Sequence, residues 1–215
     1  MKDFAKIKRR LYREDGRVLI TVSVGNDDIA EEHEFIVLHE LLGDIAQAAC
    51  GDWLCADDVA MLDSIAGTTA AFTSASASLA LAPCSARALY RKLYAKGFSR
   101  SACESAVELC CARGYIDEVS TARRRCEIMT EKLWGRGRIL AKLFEEGYCE
   151  EAIDAVRDHL EDFDFAELCA RAIRKKYRDL PADRKEREKM FAYLIRLGYS
   201  NADIKEALRR ILDEN

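Results

Sequence analysis

The sequence predicts a mainly helical fold: a tandem array of three three-helix repeats, preceded by a small N-terminal α+β region with a short β-hairpin or three-stranded sheet. Three observations carry that prediction. The 215 residues include only 2 Pro and 11 Gly, which leaves few places to break a helix. The dipeptides Gly97-Phe98, Gly147-Tyr148 and Gly198-Tyr199 recur at intervals of 50 and 51 residues, a period that marks a repeat architecture. Ahead of them, residues 17–23 are rich in β-branched side chains and follow the turn-forming pair Asp15-Gly16.

The opening reads as two strands, and the apolar run Phe35-Ile36-Val37-Leu38 offers a third. After His39, the residues Leu41, Leu42, Ile45 and Ala48 suit one face of a helix. A second helix is expected over residues 56–65, where Val59, Met61, Leu62 and Ile65 are interleaved with acids. Residues 66–82 are dominated by Ala, Ser and Thr and could be a linker. The crude apolar face of Ala70, Ala71, Phe72, Ala75, Leu79 and Leu81 favours a further helix, stopped by Pro83.

The repeat is read from its glycines. Four residues before each stands a leucine, Leu93, Leu143 or Leu194, and eight before stand Leu89, Ile139 and Met190. These offsets place one apolar stripe on a helix that ends in the glycine, the residue best able to take a left-handed C-cap conformation. After each glycine, Cys103, Ala106 and Cys110, then Ile153, Val156 and Leu160, then Ile204, Ala207 and Ile211 mark the face of a second helix. Ser99 and Ser200 are placed to cap it, with Cys149 as the odd member. Further helical segments, residues 117–132 and 164–177, complete three-helix units. The resulting divisions are 1–66 for the strand-containing region and 67–114, 115–162 and 163–215 for the repeats.

Charge is distributed unevenly. Residues 1–84 hold 7 basic and 14 acidic side chains, a balance of −7, against 27 and 24 in residues 85–215, a balance of +3. The C-terminal part is thereby suited to an anionic partner, although +3 is far below a dedicated nucleic-acid binder. The 9 cysteines are odd in number and scattered without a C-x-x-C pair, which argues against a disulfide framework or a zinc site. Several sit where a small apolar core residue would fit. The basic start, Lys2 to Arg10, lacks an apolar segment behind it, and no window reaches the roughly 20 apolar residues of a membrane helix. A cytoplasmic location is expected.

The stretches Leu-Tyr-Ala-Lys-Gly-Phe (93–98), Arg-Gly-Tyr-Ile-Asp-Glu (113–118) and Trp-Gly-Arg-Gly-Arg-Ile (134–139), held in register over three repeats, resemble the RecX family of recombination regulators. The resemblance spans residues 68–213 and departs from the family pattern at Ser120-Thr121, where an aromatic usually precedes Ala122. It implies a protein without cofactor, metal or catalytic residues that binds RecA and its DNA filaments. Such a protein modulates, mostly inhibits, recombinase, ATPase and co-protease activity in DNA repair and the SOS response. DNA is a second partner of such proteins, a membrane is not, and a monomer is expected.

The candidate contact residues are Arg123, Arg124, Lys132, Trp134, Arg136, Arg138 and Lys142 in the second repeat, and Arg171, Lys175 and Arg178 in the third. Arginine suits bidentate contact with carboxylate or phosphate. The bland alternative is a solvated helix face, balanced in the second repeat by Glu127 and Glu131. In the third, Arg174 and Arg178 at helical i,i+4 spacing would crowd like charges. Trp134 can be a partner contact or a half-buried staple between helices. Gly135 and Gly137 belong to no phosphate loop, since no G-x-x-x-x-G-K-[ST] occurs. Two other functions compete: a helical module acting on DNA without RecA, disfavoured by a pI of about 5.6, and a thiol redox sensor, disfavoured by the core positions of Cys103 and Cys110.

Overall fold

Alternation decides the start of the chain. In the computed structural model, which describes residues 5–25 and 31–213, the strands β1 (Ala5–Tyr12), β2 (Arg17–Val24), β3 (Glu31–Leu38) and β4 (Trp53–Leu54) form an antiparallel sheet in the order β3-β2-β1-β4. Ala5 and Ile7, Val18, Ile20 and Val22, and Phe35 and Val37 are buried at alternate positions, as a covered sheet face requires, and in β2 the intervening Thr21 and Ser23 are buried as well. The hairpin closes where predicted, with Gly16 at a φ of 77°. The fourth strand goes beyond the sequence expectation. It is two residues long and held to β1 through Leu54 opposite Ala5 and Trp53 opposite Lys6.

The helix expected after His39 does not form. Two short 3-10 stretches, His39–Leu41 and Gly43–Gln47, take its place. Gly43 adopts a φ of 52°, a left-handed value that interrupts an α-helix, while Leu42 and Ile45 keep their core positions. The two helices expected over residues 56–82 are one helix, α1 (Ala56–Leu81), which runs unbroken through residue 66. Its first half lends Leu62 and Ile65 to the sheet core, and its Thr69 hydroxyl accepts the N–H of Leu38 at 2.9 Å. It also packs on α3 (Arg100–Ala112), and the small residues Ala71 and Ala75 of its second half are fully buried.

The remaining helices are α2 (Ala86–Ala95), α4 (Glu118–Glu131), α5 (Arg136–Glu146), α6 (Glu150–His159), α7 (Phe165–Lys176), α8 (Arg184–Arg196) and α9 (Asn201–Asp213). Within each three-helix set the first and third helices pack together: α1 on α3, α4 on α6, α7 on α9. The chain separates into two compact units. One comprises residues up to Pro83 with Leu89–Ile116, the other Cys84–Ala88 with the residues from Asp117 onward. The second unit has its own core, in which Ile139, Leu143, Leu160, Ile173, Leu194 and Ile204 are fully buried beside Cys126 and Cys169. Each such aliphatic side chain contributes roughly 1.5–3 kcal/mol of burial energy.

The glycine register is realised three times. Gly97, Gly147 and Gly198 have φ values of 93°, 81° and 93°. The amides of Phe98, Tyr148 and Tyr199 reach back to the carbonyls of Leu93, Leu143 and Leu194 at 3.4, 3.2 and 3.3 Å. The glycine amides meanwhile bond Tyr94, Phe144 and Ile195 at 3.0, 3.0 and 2.9 Å. This is the Schellman closure, which satisfies the orphan carbonyls at a helix end. Ser99 and Ser200 cap the helices that follow, accepting the amides of Ala102 and Asp203 at 3.2 and 3.1 Å. Cys149 offers no such cap. Among the described residues no helix is long and apolar enough to cross a membrane.

Candidate functional site

The second repeat opens on Tyr115-Ile116-Asp117-Glu118, and both acids are structural. Asp117 caps α4 by accepting the Ser120 amide at 2.9 Å. Glu118 accepts two amides from distant segments, Ala86 at 2.8 Å and Cys149 at 2.6 Å, and so fixes the starts of α2 and α6 with one carboxylate. Three arginines follow on α4 and diverge. Arg123 and Arg124 are exposed and lie with Asp117, Ser120 and Glu127 around a shallow depression. Arg125 turns inward onto both oxygens of Glu146.

Beyond α4 the segment Leu133–Arg138 makes a backbone-to-backbone clasp with the turn that ends α8. The amide of Gly135 bonds the Leu197 carbonyl at 2.7 Å and that of Gly137 bonds the Gly198 carbonyl at 3.0 Å. A Cβ on Gly135 would stand 2.3 Å from the Gly198 carbonyl carbon, and one on Gly198 would stand 2.3 Å from the Arg138 nitrogen. Only glycines permit this approach. Tyr199 completes it, its hydroxyl donating to the Leu133 carbonyl at 2.9 Å. Leu133 itself has a φ of 59°, an unfavourable value for a branched side chain.

The same joint occurs one repeat earlier with other atoms. The hydroxyl of Ser85, twelve residues before Gly97 as Gly135 is before Gly147, donates to the Glu146 carbonyl at 2.8 Å. Gly147 lies against the side chain of Arg87, whose Cδ would be 2.7 Å from an added Cβ.

These joints sort the candidate residues. Arg136 is a strut: it bonds Glu161 at 2.9 Å and the Leu160 carbonyl at 3.0 Å, and lies 5.7 Å from the Phe165 ring centre. Trp134 is half-buried against the core, its ring face covered by the Arg138 guanidinium at 3.9 Å. Lys142 pairs with Glu145 at 2.9 Å. Arg171 and Lys175 are exposed on α7. Arg178 lies past the end of that helix, because Tyr177 is already extended with φ −121° and ψ 123°, so the expected crowding of Arg174 against Arg178 on one helix face is not formed. Among the described residues Arg123, Arg124, Lys132, Arg138, Arg171, Lys175 and Arg178 make no ion pair within 4.0 Å.

The thiols divide by burial. Cys103, Cys110, Cys126 and Cys169 are buried. Loss of solvation pushes Cys110 and Cys126 up to about 11 and Cys169 up to about 12. Cys149 is exposed, and partial desolvation still raises its thiol, the reverse of what a reactive thiolate needs. Among the described residues no group of three or more His, Cys, Asp or Glu side chains is placed to hold a metal ion.

Comparison with known proteins places this architecture. A family model described as "RecX, third three-helix domain" matches residues 163–208. Regulatory protein RecX of Vibrio campbellii is 32% identical over 121 residues, which span 56% of this chain and 77% of that protein. Its counterpart in Chlorobium phaeobacteroides is 30% identical over 116 residues, 53% of this chain and 75% of that protein. The fold is similar to that of a crystal structure of regulatory protein RecX, with a TM-score of 0.73 at 21% identity, covering 95% of this chain and 99% of the other. It is also similar to RecX from Lactobacillus salivarius, with a TM-score of 0.55 at 14% identity over 67% and 96% of the two chains.

Proposed function

This chain belongs to the RecX family of regulatory proteins, and we propose from that premise that it acts by binding: it docks on RecA filaments and restrains their recombinase, ATPase and co-protease activities. The observation that carries this reading is the set of exposed cations without a carboxylate partner: Arg123 and Arg124 on α4, Lys132 and Arg138 around the clasp, Arg171 and Lys175 on α7, and Arg178 beyond it. An unpaired guanidinium on a rigid helix gains most from an anionic partner, because nothing must be broken to engage it. Arg138 is additionally held in place by its stack on Trp134. The reading needs no cofactor and no catalytic step.

The test is RecA's single-strand-DNA-dependent ATP hydrolysis, titrated with wild type, with Arg138→Glu, and with Arg123→Glu/Arg124→Glu. Inhibition at substoichiometric wild type, weakened at least tenfold in either variant, is expected. No inhibition by wild type overturns the proposal. Arg136 is unsuited to the test, because its bonds to Leu160 and Glu161 confound fold with contact. Direct action on DNA is the second reading. It predicts binding without RecA and a steep loss of affinity with salt, and the net charge of −4 disfavours it.

A further inference from the structure

A groove of about 1090 Å³ in the second unit lies where α5, α8 and the start of α9 meet. Three of its four carboxylates are ion-paired and the fourth is hydrogen-bonded to a serine. Glu161 is held by Arg136 at 2.9 Å. Asp164 caps α7 and pairs with Arg210 at 2.6 Å. Asp203 accepts the hydroxyl and amide of Ser200 at 2.6 and 2.8 Å. Glu206 pairs with Arg209 and Arg210 at 2.8 and 2.9 Å. Every carboxylate of the groove is engaged. Two guanidiniums are not: Arg138 rests on an indole, and Arg196 is exposed with no ion pair among the described residues. Beside them the lining is apolar, with Leu140 and Phe163 half-buried and Ile195 43% exposed.

We propose that this groove binds a short acidic segment of a protein partner, one that sets a carboxylate on Arg138 or Arg196 and an aliphatic or aromatic side chain against Leu140, Phe163 and Ile195. A volume of that order suits a few residues of extended chain. Charge selects the class of occupant. A nucleic-acid strand carries one phosphate per nucleotide and would run its whole length past four carboxylates, whereas an acidic peptide can place isolated acids at two guanidiniums and apolar groups between them. The inference rests on the reading of this chain as a binding protein, and it adds Arg196, Ile195 and Phe163 to the contact residues.

The experiment is fluorescence anisotropy on the full chain with a fluorescein-labelled peptide of alternating acidic and apolar residues (Asp-Leu-Glu-Phe-Asp-Leu-Glu). The comparison probes are a peptide with lysines replacing the acids and an oligothymidylate of matched charge. Saturable binding of the acidic peptide is expected, weakened at least tenfold in Arg196→Glu and at least threefold in Ile195→Ser, with unchanged circular dichroism and melting temperature. Lack of binding at millimolar protein, equal affinity for the lysine peptide, or competition by the oligothymidylate at equal affinity overturns the proposal. The two readings fail separately. Peptide binding in a protein that leaves RecA ATPase untouched supports the groove and removes the RecA assignment, whereas RecA inhibition with no peptide binding removes the groove alone.

Discussion

The turns that end α2 and α8 have the same backbone and different surroundings. Gly97 and Gly198 share a φ of 93° and the same pair of closing hydrogen bonds. Yet a Cβ on Gly97 would meet nothing within 4 Å among the described residues, while one on Gly198 would drive into the Arg138 backbone. Gly147 is intermediate, facing the flexible side chain of Arg87. One sequence motif therefore does one job in the first repeat, ending a helix. In the second and third it also admits the preceding repeat.

Substitution breaks that comparison apart. Gly198→Ala should be the most damaging, since backbone faces backbone and neither side can yield; a loss of roughly 3–5 kcal/mol combines overpacking with left-handed strain. Gly147→Ala should cost less because Arg87 can swing away, and Gly97→Ala only the strain, about 1 kcal/mol. Thermal melts of the three variants check the order, and a Gly97→Ala protein as unstable as Gly198→Ala would refute the clasp. Tyr199→Phe should fall between Gly198→Ala and Gly97→Ala. Removing the hydroxyl strands the buried Leu133 carbonyl at a cost of about 1–2 kcal/mol by urea titration.

The smallest effect sharpens the comparison from the solvent side. The guanidiniums of Arg209 and Arg210 hold the Glu206 carboxyl down to about 2 from its ordinary 4.5, and Arg210 and the α7 amides likewise lower Asp164. A carboxyl lowered in the folded state stabilises above the unfolded value and loses that contribution as pH falls through the folded one. The melting-temperature difference between wild type and Glu206→Gln should thus be present at pH 7 and close between about pH 4.5 and 2. Arg209 being exposed and Glu206 and Arg210 partly so, it should also shrink in salt. A difference independent of pH would mean that packing, not charge, is lost.

The repeat was legible because its punctuation is chemical. Glycine at a left-handed position, leucine four residues earlier and serine two residues later each answer a local demand of helix ends, and all three glycines and leucines fall where those offsets put them. The buried Cys103 and Cys110 are core residues for the same reason of register. What escaped depends on partners far along the chain. The unbroken α1 hides because Ala, Ser and Thr give little contrast between its faces. The strand β4 is too short to show a period. The clasp joins residues more than 60 positions apart. Among the candidate residues, Arg136 did carry a signal. It opens α5, where the helix dipole disfavours a cation, so its charge had to be answered by an oxygen from elsewhere, as Leu160 and Glu161 do.

The joint between repeats also has a polarity. The second and third glycine turns seat on the start of the preceding repeat's middle helix: Gly147 on the region of Ser85 and Arg87, Gly198 on that of Gly135 and Arg138. A head-to-tail contact of this kind propagates whenever its last member stays receptive, and could string molecules into fibres. The start of α8 is the corresponding surface of the third repeat. Its first six residues, Arg184, Lys185, Glu186, Arg187, Glu188 and Lys189, are all charged and exposed, so a further turn could seat there only by stripping water from that shell. Hydration of these charges disfavours a further turn on the start of α8.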